Sequence, residues 1–332
     1  PMTMTNRFTR TTCTRLAATA AAILLPGLAS AQTFPVRPIR FVVPYSAGGA
    51  GDIFARTIGQ KLGEALGQQV LVDNRPGANG IIGMELVAKS APDGYTIVMA
   101  NSAPMVLNPS LYAKLPYDPI KDYAPITQGT LYSYILIVHP SVPARSLEEL
   151  VALARSRAGQ LQYGSSGAGG ANHLAGEMFK RAAKIDITHV PFKGSAPALA
   201  DVLAGHIPIM FDTIVTTMPQ LKAGKVRALA VTGARRAPQV PDIPTISEKG
   251  YPGCEVTSWQ SLLAPAGTPR AIVERLYQES VKALKLPDVI DRLATQGGNE
   301  LVGNTPDEFA AVIKKEIASY ARVIREAGIR LE

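Results

Sequence analysis

From residue 39 onward, short runs of β-branched and other apolar residues alternate with stretches in which apolar side chains recur every third or fourth position. That alternation predicts βαβ units and a mostly parallel sheet in an α/β fold. Strands are expected at 39–43, 69–72, 96–99, 134–138, 161–164, 188–191, 207–211, 226–231 and 261–264. Helices are expected at 52–66, 81–89, 146–157, 171–183, 195–203, 269–285, 287–296 and 305–327. In the first of these, Phe54, Ile58, Leu62 and Leu66 form one apolar stripe to lay on a sheet, and Gly67 marks its end.

The punctuation is local. Gly77-Ala78-Asn79-Gly80, Pro92-Asp93-Gly94 and Pro116-Tyr117-Asp118-Pro119 break up the first part of the chain, and a Pro-rich passage covers 237–244. There is no internal repeat. With 332 residues at 46% hydrophobic composition the chain can bury two cores. No long linker separates them, so a second domain inserted into the first fits better than two domains in series. The expected boundaries are 32–128 and 258–332 for one lobe and 129–257 for the other.

Residues 1–31 read as an export signal. Arg7, Arg10 and Arg15 form a basic front, residues 16–28 an apolar middle, and Ala29-Ser30-Ala31 a small-residue cleavage site. Cleavage after Ala31 would send the protein to the periplasm and leave Cys254 without a partner cysteine, so no internal disulfide is expected. The role of Cys254 is open. Beyond the leader, 31 Lys and Arg face 26 Asp and Glu, a net charge of +5. These cations are scattered and lack interleaved aromatic platforms, which argues against nucleic-acid binding.

Three strand-to-helix loops carry the candidate chemistry. The first is Pro44-Tyr45-Ser46-Ala47-Gly48-Gly49-Ala50-Gly51 before Asp52, the second Ser165-Ser166-Gly167-Ala168-Gly169-Gly170 before Ala171, and the third Lys193-Gly194-Ser195. In an open α/β sheet ligands bind beyond the carboxyl ends of the strands. A helix N-terminus there offers unpaired N–H groups and a partial positive charge to an oxyanion. A micromolar complex needs about 8 kcal/mol, while a charge-assisted hydrogen bond nets roughly 1.5–3 kcal/mol. One loop falls short and two facing loops suffice; the two long Gly/Ser-rich loops are the expected pair. The competing reading is that such glycines only let a helix pack close to its sheet.

Individual side chains carry similar alternatives. Asp52 and Ser195 read as helix caps before ligand contacts. Lys193 and His173 are candidate ligand contacts whose default is solvent or packing. Trp259, the only tryptophan, either packs or lines a pocket where the chain crosses between lobes. Asp212 caps the following residues or faces a ligand that offers a hydrogen-bond donor. Ser102, just after the third strand, completes the candidates.

Several signatures are incomplete. Gly164-Ser165-Ser166-Gly167-Ala168 lacks the last glycine of a nucleophile elbow, and no base is expected beside a serine, so no catalytic residue is assigned. Neither dinucleotide nor P-loop patterns occur, and His139, His173, His189 and His206 lack close metal-ligand spacing. No cofactor and no metal are expected.

The segments "PVRPIRFVVPYSAGGAGDIFAR", "VDNRPGANGIIGMELVAKSAPDGYTIVMAN", "NPSLYAKLPYDPIKDYAPIT", "HVPFKGSAPALADVLAGHIPIMFD" and "LLAPAGTP", in this order, resemble the substrate-binding receptors of tripartite tricarboxylate transporters, the Bug family. The resemblance runs from about Pro35 to the C-terminus. It implies a two-lobed, type II periplasmic binding protein with two crossing strands, a monomer that holds a small carboxylate and delivers it to membrane permease subunits. Carried over by motif, Tyr45, Ser46, Ala47, Gly48, Gly49 and Asp52 would form one wall of the cleft. Ser165, Ser166, Gly167, Gly169, Ala171 and His173 would form the other, with Lys193 and Asp212 nearby. Ala103-Pro104-Met105 and Gln260-Ser261 depart from the pattern such receptors often show, which leaves the particular carboxylate open. Two alternatives remain: a sensor of the same fold, and a hydrolase of carboxylate esters or amides.

Overall fold

A computed structural model describes residues 34–327. The expected export signal and cleavage site lie outside the described residues. No helix among those described is long and apolar enough to cross a membrane.

The first half-sheet grows as the periodicity predicts. Strand β1 (Ile39–Val43) leads through the first glycine loop into helix α1 (Ala50–Leu66), then β2 (Val70–Asn74), α2 (Ile81–Ala88) and β3 (Thr96–Asn101), with β1 parallel to both β2 and β3. Phe54, Ile58 and Leu62 of α1 are fully buried, which confirms the stripe. Gly67 ends the helix in the left-handed conformation that favours glycine.

A π-helical segment, Ala103–Leu107, and the short α3 (Asn108–Leu111) follow in a stretch for which no element was expected. Next comes β4 (Tyr123–Val138), sixteen residues long. Only its last five residues were expected to be strand. Pro125, Gly129 and a run of polar residues hide the rest, because those polar groups are buried and satisfied internally: Thr127 Oγ1 donates to Asn304 O at 2.7 Å and Thr130 Oγ1 to Gln260 Oε1 at 2.9 Å.

The second half-sheet contains α4 (Leu147–Ser156), β5 (Gln162–Ser165), α5 (Ala171–Ala183), β6 (Thr188–Pro191), α6 (Ser195–Leu203), β7 (Ile209–Thr213), α7 (Ile214–Lys222) and β8 (Arg227–Val231). Helix α7 was not expected, since Thr216, Thr217 and an internal Pro219 oppose helix propensity. Both threonine hydroxyls donate to Asp212 Oδ2, which fastens the helix start to the end of β7. The chain then returns through β9 (Thr257–Pro265) to α8 (Arg270–Leu284), α9 (Pro287–Ile290), the two-residue β10 (Glu300–Leu301) and α10 (Pro306–Ala327).

The strand order is β2-β1-β3-β9-β4-β7-β5-β6, with β8 and β10 also on β4. Pairings of β4 and β9 are antiparallel and the others parallel, so the sheet is mixed rather than mostly parallel. Strand β4 pairs with β9 and β10 along its first part and with β7 and β8 along its last, and so carries the chain from one lobe into the other. The second crossing is at the start of β9, where Thr257 and Ser258 lie opposite Ser133 and Tyr132. This is the two-lobed α/β fold of periplasmic binding proteins.

Candidate functional site

The three candidate loops converge between the lobes, residues of all three lining one or the other of two neighbouring cavities. The loop after β1 meets the start of α6. Ser46 N donates to Lys193 O at 3.2 Å, and a Cβ at Gly49 would lie 2.8 Å from Ser195 Oγ. The loop 165–170 meets a different partner, the turn before α2: a Cβ at Gly167 would lie 3.3 Å from Asn79 Oδ1.

The N–H groups differ between the loops as well. Helix α1 is capped by Gly49 and α6 by Gly194, neither with a side-chain cap bond. Among the described hydrogen bonds, none is donated by the N–H of Gly49, Ala50, Gly51, Ser195 or Ala196, so these ends retain their charge-binding capacity. In the second loop part of the donors are spent, Gly167 N on Ser165 Oγ, Gly169 N on His173 Nδ1, Gly170 N on Gly167 O, and His173 N on Asn172 Oδ1, while none of the described hydrogen bonds is donated by the N–H of Ser166, Ala168, Ala171 or Asn172. That loop is braced more heavily than the other two, and its Ser166 lines the inner cavity together with Gly49 and Ser195.

An inner cavity of about 40 Å³ and an outer one of about 250 Å³ lie along this interface, with Tyr45 and Ser166 lining both. Of the expected residues, Tyr45, Gly49, Ser166 and Asp212 line the inner cavity. Gly167 and the exposed Lys193 join Tyr45 and Ser166 around the outer one. Ser46 sits between the lobes with its hydroxyl buried and unpartnered.

The remaining expectations are corrected. Ala47 and Gly48 are exposed and line neither cavity. Asp52 is not the cap but the third residue of α1. Its Oδ2 reaches back to Gly48 N at 2.9 Å and accepts from Arg56 Nε at 2.9 Å, and its Oδ1 accepts from Asn74. Those donors outweigh burial and hold its pKa below the ordinary value. Ser195 is the first residue of α6 and likewise not its cap.

His173 turns away from both cavities: its Nδ1 accepts from Gly169 N, and its ring stacks on His189 with centroids 3.8 Å apart. Gly169 and His173 border a small recess closed by Leu107, Leu111 and Ile324 instead. Ala171, first in α5, is buried and lines neither cavity. Ser102 is fully buried against Ser258 Oγ at 2.7 Å. Trp259 is a packing residue: its ring lies edge-on to Phe309 and its Nε1 donates to Glu316 at 2.7 Å.

One absence expected from sequence is contradicted. A serine does have a base beside it, since Ser165 Oγ and His189 Nε2 are 2.6 Å apart. Ser165 is fully buried, however, and its hydroxyl also bonds the N–H and carbonyl of Gly167. The pair braces the loop. Cys254 is buried and free, with burial pushing its thiol pKa up to about 11, so it behaves as a small core residue.

Sequence reasoning missed most of the inner wall. Tyr132 and Tyr134 of β4, Gln260 of β9, Asn101 at the end of β3, and Asn172 and Thr213 all line it. The alternation Tyr132–Tyr134 places two aromatics on one face of a strand and was the available signal. Tyr45 and Asn101 are held together by a 3.0 Å hydrogen bond from the phenol. Burial raises the pKa of Tyr45 and Tyr134 well above the ordinary value and that of Tyr132 above it, so all three present neutral hydroxyls. Among the described residues no Lys, Arg or His lines the inner cavity, and Asp212 is the only acid that does.

Two lobes joined by crossing strands, with free helix N-termini facing across the cleft, define a solute-binding protein of the periplasmic type. By its sequence the chain belongs to the tripartite tricarboxylate transporter receptor family, whose pattern it matches over residues 54–329. Among solved structures it is similar to the periplasmic binding protein BugD, with 34% identity and a TM-score of 0.86 over 90% of this chain and 100% of that one. It is similar also to an R. palustris protein with adipate, at 37% identity and a TM-score of 0.86 over 90% and 100% of the two chains. MatC from Rhodopseudomonas palustris, with bound malate, gives 34% identity and a TM-score of 0.84 over 88% and 100%.

Proposed function

We propose that this chain is a periplasmic receptor that closes on a small carboxylate and delivers it, as a monomer, to the permease subunits of a tripartite transporter. The lobes in this reading comprise residues 32–128 with 258–332, and 129–257. The observation that carries it is the pair of unspent helix N-termini, α1 at Gly49–Gly51 and α6 at Ser195–Ala196, which meet at the mouth of a cavity containing no cation. An oxyanion placed there receives N–H groups from both lobes, so it is bound best when the lobes are closed. The adipate and malate held by the two R. palustris proteins support the same ligand class. Binding of this kind needs neither a nucleophile nor a metal, and the buried Ser165–His189 pair gives the hydrolase reading no support.

A thermal-shift panel of mono-, di- and tricarboxylates, with amide analogues, tests the proposal. A ligand at a hundred times its Kd adds about 2.7 kcal/mol to stability, so at least one carboxylate should raise the melting temperature and its amide should not. Equal shifts from acid and amide would refute the anion site.

A further inference from the structure

Asp212 is the one polar group in the inner cavity that is both fully buried and half unsatisfied. Its Oδ2 accepts from Thr216 Oγ1 at 2.7 Å and from Thr217 Oγ1 at 3.1 Å, while its Oδ1 has no hydrogen-bond partner. The side chain is 0% exposed to solvent yet lines the cavity. A buried oxygen without a partner is costly and rare in native structures. At the edge of a ligand cavity, it marks the place where the ligand completes the bonding.

What the ligand must offer follows from charge. If Asp212 stayed ionised, a bound carboxylate would add a second negative charge to a cavity without a cation, and two carboxylates in one site cannot readily both ionise. The groups facing Asp212 do not relieve this. Tyr45 from the first loop and Tyr132 and Tyr134 from β4 are neutral phenols, and Asn172 and Gln260 are neutral amides. His173 on α5 is turned onto Gly169 N with its pKa lowered by burial to about 4, and Lys193 is exposed at the outer cavity. The resolution is a proton. Because Oδ2 already receives two hydroxyls, the proton belongs on Oδ1, which points the only remaining donor of this side chain at the ligand.

Resting on the carboxylate reading above, we propose that Asp212 is a specificity-determining residue that acts as a neutral acid. It donates its Oδ1 proton to an acceptor oxygen of the bound carboxylate, so that binding takes up one proton. The transfer is balanced: one proton leaves solvent for Oδ1, no covalent bond to the ligand forms, and the proton returns to solvent on release. Burial, opposed by the Thr216 hydroxyl, the Thr213 N–H and the Thr217 hydroxyl, sets the group's pKa at about 6 before any ligand arrives, and an approaching anion raises it further.

Isothermal titration calorimetry of the mature protein with adipate and malate, in buffers of different ionisation enthalpy at pH 7.5, reads the proton directly. We expect uptake approaching one proton per ligand, and a Kd about 20-fold weaker at pH 8 than at pH 6.5, the ratio of protonated Asp212 at those pH values. Asp212→Asn, which keeps a donor but cannot titrate, should bind with no uptake and a flat Kd. If the wild type binds either acid without uptake, or if Asp212→Asn retains the uptake, the proposal fails and the receptor reading stands. If no carboxylate in the panel gives binding at any pH, both fail together.

Discussion

Asp212 should also leave a signature in the stability of the protein without ligand. Its carboxyl is fully buried and its pKa is raised from 3.8 to about 6, chiefly by desolvation. A difference of about two pKa units between folded and unfolded chains corresponds to about 3 kcal/mol. At pH 8 the group is ionised in both states, and folding carries the full cost of burying its charge. Below pH 4 it is neutral in both and the cost is absent. The stabilisation that protonation brings is therefore complete below about pH 4 and is lost as pH rises through 6.

Replacing Asp212 with Asn removes the charge at every pH while leaving an oxygen to accept from Thr216 and Thr217. The variant should match the wild type near pH 4 and exceed it by up to about 3 kcal/mol at pH 8. At roughly 2 °C per kcal/mol for a chain of this size, that is a rise of about 6 °C in Tm. Guanidinium unfolding of both proteins at pH 4, 5, 6, 7 and 8 measures the difference directly. A gain that is the same at pH 4 and pH 8, or that shrinks as pH rises, would show that the carboxyl is not buried in the way described.

Two further outcomes test other parts of the site. Gly49→Val should weaken carboxylate binding at least tenfold, about 1.4 kcal/mol, because its Cβ would lie 2.8 Å from Ser195 Oγ across the closed cleft. Gly49 has an ordinary extended φ of −81°, so without ligand the same change should lower unfolding stability by no more than the loss of an N-cap, about 2 kcal/mol; an unchanged Kd would refute the α1–α6 contact. On the acid side, burial holds the His173 pKa down at about 4 against an ordinary 6.5. The stability this neutral ring supports is present above pH 6.5 and is lost as pH falls toward 4, by up to about 3 kcal/mol. His173→Gln should flatten that limb of the Tm-versus-pH curve, and a variant whose acid limb is as steep as the wild type's would contradict the burial.

Much of the fold was legible because its strands and helices are amphipathic in the usual way. The stripe Phe54–Ile58–Leu62 is buried as its spacing requires, and all three loops lie at the carboxyl ends of β1, β5 and β6. Which N–H groups stay free was not legible. Loops 44–51 and 165–170 look alike in composition, but in the second the ring of His173 has taken the Gly169 N–H and the hydroxyl of Ser165 the Gly167 N–H. Whether an N–H is free depends on an acceptor that only the folded turn brings near it. The first part of β4 was obscured for a related reason. Its buried Thr127, Gln128 and Thr130 look like surface residues until Asn304 and Gln260, distant in sequence, supply their partners. The cavity wall is the extreme case, since Tyr132, Asp212 and Gln260 come from three strands that only the crossing topology makes adjacent.

The contacts that join the loops directly show why the cavity lining has to decide what is bound. Closure is held there by Ser46 N–H donating to Lys193 O at 3.2 Å and by the Tyr112 hydroxyl donating to Ala168 O at 3.3 Å. Two neutral hydrogen bonds contribute roughly 1 kcal/mol each, well under the 8 kcal/mol of a micromolar complex. The balance must come from groups that meet only through the ligand: N–H groups of α1 and α6 on a shared oxyanion, and the phenols, amides and carboxyl of the inner wall on the remainder of the molecule. Backbone N–H groups reject a neutral end group but do not distinguish one carboxylate from another. Discrimination therefore falls to the side chains of the inner wall, and among these Asp212 alone has a fully buried oxygen without a partner.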